Sequence, residues 1–335
     1  MHIVVPRGFE AYTRVFHPVQ RDWPTGSGWD RQPPDWPDVR APSYQQPTIE
    51  DESIRWSAVA EAMGTTMHPL AQFNRLIKPA IESPYGPLDA QGRRYSEPQQ
   101  GNLAAEVLAR VCLHLAAHTA TPNGGVAAIW EGYGGLTSSA GYAQLEVSWS
   151  EKTDAEADVE VEADAGVEAE AEAGSRLDAN PTADNPDSAW AWTSLEEAQR
   201  RGLGVGPQGT DPLAGNPPPG SGLLPADVVL APTLDLPDRS YYLFAAGVRF
   251  FQDPAWVERV SWHHVPWFPQ SPNMLWPADH AWVLVSEIDF DSTVVAGSRG
   301  LIAALVADPE IEALPLPEGA DLSWDADELN RPDLS

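Results

Sequence analysis

The residues best equipped for chemistry lie in one stretch, VSWHHVPWFPQSPNMLWPADHAWVLVSEIDFDSTVVAGS, from Val260 to Ser298. It carries His263, His264 and His280, the tryptophans Trp262, Trp267, Trp276 and Trp282, and the carboxylates Asp279, Glu287, Asp289 and Asp291. Histidine beside carboxylate is the donor set of a hydrolytic metal site. One chemistry is therefore a divalent metal held by His264 or His280 with Glu287, Asp289 or Asp291. Carboxylates beside exposed indoles are also what a cationic partner requires.

These side chains need a strand to space them. Apolar and polar residues alternate from Trp282 to Asp291, which predicts one strand over that span, with Thr293–Ala296 continuing it. Trp282, Leu284, Ile288 and Phe290 share one face; Val283, Val285, Glu287, Asp289 and Asp291 share the other. Successive carboxylates then stand roughly 6.7 Å apart, too far for all of them to grip one ion, although two neighbours suffice with a histidine. The plain reading of the same alternation is a strand with a polar outer face. His263 and His264, being adjacent, point to opposite faces, so only one serves any given site. Trp267 and Trp276, flanked by prolines, are expected in a loop as a binding surface, while the other tryptophans are expected in the core.

Elsewhere the motifs fail their context. GVGPQG (204–209) matches G-x-G-x-x-G, but prolines surround it and no strand leads in, so it reads as linker. A P-loop, a G-x-S-x-G elbow and an H-E-x-x-H helix are absent. His114 and His118 stand at i and i+4 on a predicted helix; with no acidic base between them and a position near the helix end, they read as capping residues.

The scaffold comes in two patterned parts. Residues 1–150 contain a strand at YTRVF, an extended Pro/Trp-rich arm over 22–50, and helical patterns at Ile54–Met63 and Pro69–Lys78. A strong amphipathic helix follows at Leu103–Ala117 with Asn102 as its N-cap, then strands at GVAAIWEGYGG and YAQLEVSW. Residues 223–335 add a strand at Arg239–Val248, a helix from the cap Ser298 to Ala307, and a last strand at IEALPL. Between them, 151–222 run from an acidic tract to a Pro/Gly-rich segment, with a short helix predicted at 188–202, and the composition predicts disorder. The fold class expected is α+β: one composite domain with a mixed or antiparallel sheet packed by helices, interrupted by that insertion.

Charge narrows the partners. The net charge is −29, from 49 acidic and 20 basic residues. Residues 151–172 hold ten Asp or Glu and one Lys, which accounts for −9 and leaves −20 elsewhere. Such a surface opposes nucleic-acid binding, which needs cations against phosphate, and opposes anionic membranes. A lone Cys112 rules out an intrachain disulfide and a cysteine-built zinc site. The start lacks the basic and apolar regions of a signal peptide, and no apolar run reaches about 18 residues. A cytoplasmic protein is expected.

The segments YTRVFHPVQRDWPTGSGW, AAIWEGYGG, YYLF, SPNMLWPADHAWVLVSEIDFDSTVVAGS and LIAALVADPEIEALPL resemble a family of uncharacterised actinobacterial proteins. The resemblance covers most of the patterned sequence, not the acidic tract. It implies a shared core and brings no catalytic residues with it.

The sequence thus predicts a non-enzymatic binding protein of the immunity or adaptor kind, without cofactor, engaging a basic partner through Trp267, Trp276, Asp279, Glu287, Asp289 and Asp291. Its alternative is the metal-dependent hydrolase built on the His/Asp/Glu cluster at 263–291.

Overall fold

The computed structural model describes residues 4–25, 29, 48–78, 80–81, 86–133, 135–136, 223–224, 226–262 and 270–331. His263, His264 and Trp267 lie outside these residues. So do the YAQLEVSW strand, the acidic tract, the helix predicted at 188–202 and the Pro/Gly segment.

The chain is α+β. Its strands are β1 (Ala11–Phe16), β2 (Val19–Thr25), β3 (Thr48–Ile54), β4 (Arg94–Ser96), β5 (Gly125–Trp130), β6 (Leu234–Leu236), β7 (Arg239–Ala245), β8 (Met274–Pro277), β9 (Val283–Val285), β10 (Ser292–Gly297) and β11 (Ala313–Leu316). The helices are α1 (Trp56–Met63), α2 (Phe73–Leu76), α3 (Ala105–Ala117), α4 (Ala226–Val229) and α5 (Arg299–Ala307), with 3-10 turns at Val248–Gln252 and Pro254–Arg259.

Eight strands form one sheet in the order β11-β1-β10-β9-β8-β5-β7-β6, and every pairing described is antiparallel. Strands from both ends of the chain meet in it: β1 lies between β10 and β11, and β5 between β7 and β8. Because β10 and β11 both oppose β1, they run parallel to each other. That arrangement requires the crossover through α5.

Both faces of this sheet are covered, which explains its composition. Val15, Ile129, Phe244, Leu284 and Val295 on one face pack with Leu108, Val111 and Leu115 of α3 and with Leu301 and Leu305 of α5. The other face presents Val126, Ala128, Leu243, Met274, Val283 and Val294 to Val4, Val5 and Leu322 from the two ends of the chain. Strands buried on both sides read as near-continuous apolar runs, without a polar face.

A smaller sheet, β3-β2-β4, joins α1 and α2 around Trp56, Val59, Phe73, Leu76 and Tyr95. Its strands β2 and β3 are the two ends of the stretch expected to be an extended arm. Ile54 closes β3, so α1 starts two residues later than its helical pattern suggested, at Trp56. The free N–H groups of Trp56 and Ser57 donate to the Glu312 carboxylate at 2.6 and 2.8 Å, an N-terminal cap supplied from beside β11.

Two local expectations are corrected. The N-cap of α3 is Ala104, with no side-chain cap; Asn102 Oδ1 accepts instead from the Ser271 backbone N–H at 2.8 Å. The strand predicted over Trp282–Asp291 ends at Val285, and β10 is a separate strand that turns back along it. The α5 boundary matches its sequence signals: Ser298 Oγ accepts from Leu301 N–H at 3.2 Å, and Asp308 ends the helix.

Candidate functional site

The carboxylates that drew attention lie on the connection from β9 to β10. Its first residue is tied by Ser286 N–H to the Asn273 carbonyl at 2.7 Å. Ser286 Oγ meets Thr293 Oγ1 at 2.6 Å, and Thr293 meets His17 Nε2 at 2.8 Å. His17 is buried, and burial pushes its imidazole down to about 4, helped by Arg14 and opposed by the Gln99 carbonyl. The ring is therefore neutral. With Nδ1–H donated to the Gln99 carbonyl, Nε2 accepts from Thr293, which in turn accepts from Ser286.

The middle of the loop is equally constrained. Asp289 N–H donates to Glu287 Oε2 at 2.7 Å, and Gly101 N–H donates to the Phe290 carbonyl at 2.8 Å. Gly101 has φ 63°, and a Cβ there would fall 2.7 Å from Ile288 Cα, so only glycine lets the two backbones approach this closely.

The loop sends its carboxylates in different directions. Glu287 and Asp289 pair with Arg239 at 3.2 and 2.8 Å. The Arg239 guanidinium lies 5.9 Å from the Trp130 ring. Asp291 pairs with Arg14 at 3.2 Å. The expected row of carboxylates on one strand face is thus replaced by three ion pairs, centred on two arginines on either side of a turn. The physical reason is that β9 is covered on both faces, so the first polar residues mark the end of the strand.

The other sequence-predicted positions separate from this loop. Trp276 is the third residue of β8 and is 2% exposed, so it packs in the core and presents no binding surface. Asp279 and His280 sit in the turn from β8 to β9, at the opposite end of β9 from Glu287. Asp279 accepts from Thr119 Oγ1 and Ala120 N–H, both at 2.7 Å, and from Ala281 N–H at 3.2 Å. Burial pushes the His280 imidazole down, against the attraction of Asp279. Among the described residues no three His, Cys, Asp or Glu side chains gather into a metal-sized group. His114 contacts Asp308 at 2.6 Å, and His118, the C-cap residue of α3, contacts the His114 carbonyl at 2.8 Å.

Two cavities flank the loop and share Asp289 and Phe290. The smaller, about 230 Å³, lies over Val4, Pro237, Asp238, Arg239 and Glu287. Near it the Tyr133 phenol accepts from Asn273 Nδ2 at 2.9 Å, and burial pushes it up to about 12. The larger, about 500 Å³, is lined by Arg14, Gln72, Phe73, Asn74, Glu97, Gln100, Asp291, Leu322 and Trp324 among others. That volume suits a small ligand or one large side chain.

Arg14 is the floor of the larger cleft and donates four hydrogen bonds to the protein. Its Nε donates to Ser292 Oγ at 2.8 Å; one terminal nitrogen donates to the Pro69 and Ala71 carbonyls at 3.1 and 2.7 Å; the other reaches Asp291. The Phe16 and Trp56 rings lie 4.7 and 5.3 Å from its guanidinium. Burial pushes it down to about 10, opposed by Asp291, so it stays charged at neutral pH. Burial also pushes the Asp291 carboxyl up, more than Arg14 pulls it down, and Glu97 adds to the rise. Around this floor stand Glu97 and Asp289, both exposed, and the Trp324 indole, 71% exposed. The cleft is anionic with an aromatic wall.

Arg14, Gln72, Glu97 and Trp324 did not figure among the sequence candidates. One signal was available: an arginine in the middle of the apolar strand AYTRVF is a buried charge, which demands a partner. The chain matches no family model, no curated protein and no solved structure.

Proposed function

We propose that this chain is a non-enzymatic, cytoplasmic binding protein of the adaptor or immunity kind. Its larger cleft receives a cationic side chain of a basic partner. The observation that carries this reading is the lining of the cleft: among the described residues, Glu97, Asp289 and Asp291 surround one lining cation, Arg14, which already donates four hydrogen bonds to the protein. A second cation entering the cleft would meet Glu97 at the rim, Asp289, which it would share with Arg239, and the exposed Trp324 ring, whose other cationic neighbour is Arg75. The net charge of −29 favours the encounter over long range. It also opposes nucleic acid as a partner.

The reading keeps Asp289 and Asp291 from the residues expected on sequence grounds, and replaces Trp276 with Trp324 as the aromatic contact. Glu287 belongs to the neighbouring cavity and acts through Arg239. The alternative, a metal-dependent hydrolase, has less support: Glu287 and Asp289 are held by Arg239 and Asp291 by Arg14, and His280 lies across β9 from them.

Titrating a tri-arginine peptide and a tri-glutamate peptide against the full chain tests the proposal through Trp fluorescence. Tri-arginine is expected to bind and tri-glutamate is not. Glu97→Gln is expected to weaken tri-arginine binding by about three- to fivefold, with no change in melting temperature. Equal binding of both peptides, or unchanged binding to the variant, would contradict it. Adding divalent ions with a thermal-shift readout separates the hydrolase alternative, which requires a clear stabilisation.

A further inference from the structure

The wall of the cleft that carries Trp324 is not part of either sheet. Residues 321–331 follow β11 as irregular chain, and Leu322, Ser323 and Trp324 face the cleft. Upstream, the segment leaves from a fixed point: Glu318 Oε1 accepts from Gly8 N–H at 3.0 Å and from the Tyr12 phenol at 3.2 Å. Gly319, with φ 76°, then turns the chain. Internal bonds shape the next turn, where Asp321 accepts from Ser323 N–H at 2.9 Å and Ser323 from Ala326 N–H at 3.0 Å.

Besides the Arg75 guanidinium near the Trp324 ring, two ties among the described residues hold this segment to the rest of the molecule. One is Leu322, 4% exposed in the second core cluster. The other is a polar clasp. Asp327, fully buried, accepts from Gln72 N–H at 3.1 Å and contacts His68 Nε2 at 2.8 Å. It also accepts from Asn330 N–H and Nδ2 at 2.9 and 2.8 Å. Asn330 in turn grips both backbone groups of Thr66, at 2.8 and 2.9 Å. Between and beyond these ties the side chains face solvent, Trp324 at 71% and Leu329 at 69% exposure. A segment with so few buried apolar contacts opens at a lower free-energy cost than the sheet it lies against.

The clasp and the cleft share a residue. Gln72 donates its backbone N–H to Asp327 while lining the cleft. Trp324 lies three residues before Asp327, with the Arg75 guanidinium 5.9 Å from its ring on the α2 side. Resting on the cleft reading above, we propose that residues 321–331 form a strap. The Asp327–Asn330 clasp to the Thr66–Gln72 turn sets how readily the Trp324 wall swings aside to admit the cationic side chain of the partner. Leu322 and the Glu318 tie act as the fixed end, and Asp327 as the latch.

The test uses the full chain with Asp327→Asn and, because that site is buried and the variant could misfold, Asn330→Ala, which leaves the buried carboxylate in place. Hydrogen exchange is followed on residues 322–331 and on β1, β5 and β10, and tri-arginine association is followed by stopped-flow Trp fluorescence. The strap predicts about tenfold faster exchange confined to 322–331 in at least one folded variant. It also predicts that tri-arginine associates and dissociates several-fold faster in that variant. Unchanged exchange in 322–331, or acceleration spread equally over the sheet, overturns the strap. Faster strap exchange with no change in tri-arginine rates overturns its role as a gate. Absence of tri-arginine binding to the wild-type chain overturns the cleft reading itself, and the gate with it.

Discussion

Arg14 in β1 and Asp291 at the end of the β9–β10 loop form an ion pair at 3.2 Å, with the arginine side chain 1% exposed. The pair joins β1, one strand in from the edge of the large sheet, to the loop and forms the floor of the cleft. It also connects to the α1–α2 region through the Pro69 and Ala71 carbonyls. Removing a cation from such a pair leaves a buried carboxylate without a counter-charge, which is costlier than losing the attraction alone.

Arg14→Met is therefore expected to destabilise the protein by about 3–5 kcal/mol. Asp291→Asn keeps an acceptor for the guanidinium but leaves the buried Arg14 charge without its counter-charge, and is expected to cost less, about 1.5–3 kcal/mol. Urea denaturation of the two variants checks the order. Equal losses, or a negligible one for Arg14→Met, would show that the pair does not hold the loop.

His17 makes stability depend on pH. Its folded value is pushed from the ordinary histidine range down to about 4, first by burial and then by Arg14, with the Gln99 carbonyl pulling the other way. Between pH of about 6.5 and about 4 the unfolded chain holds a proton that the folded chain refuses, so stability falls as pH falls through that window and levels off below it. The expected contribution is about 3 kcal/mol. Chemical denaturation of the wild type and His17→Gln at several pH values measures it: the variant should lack this part of the slope.

Much of the fold could be read in the sequence where the signals are local. The helix from Ser298, the YTRVF and YYLF strands and the α3 stripe all follow from periodicity and caps. The β9–β10 turn could not be read that way, because SEIDFD alternates as a half-exposed strand would. In a sheet covered on both faces, polar residues mean departure from the strand, and only the tertiary arrangement reveals the cover. Trp276 was misplaced for the same reason: neighbouring prolines suggested a loop, yet β8 pairs with β5 and β9 and buries its ring. The site residues Glu97 and Trp324 carry no local signal, since only the tertiary arrangement brings the end of β4 and the C-terminal segment to the cleft that Asp291 lines.

Gly101 tests how far the loop geometry matters. Its positive φ and the 2.7 Å approach of an added Cβ to Ile288 Cα mean that Gly101→Ala must strain its own backbone and push the loop away. The expected cost is about 2 kcal/mol, together with weaker tri-arginine binding because Asp289 and Asp291 move. Thermal denaturation and the peptide titration together check this; a variant as stable and as tight-binding as the wild type would contradict the account.

The central claim is the location of cation binding, and NMR mapping on the isotope-labelled full chain tests it most directly. On adding tri-arginine, amide shifts are predicted at Gln72, Glu97, Asp289, Phe290 and Asp291, with the Trp324 indole N–H moving most. Shifts confined to Asp279 and His280, or no shifts near the cleft at saturating peptide, would contradict the claim.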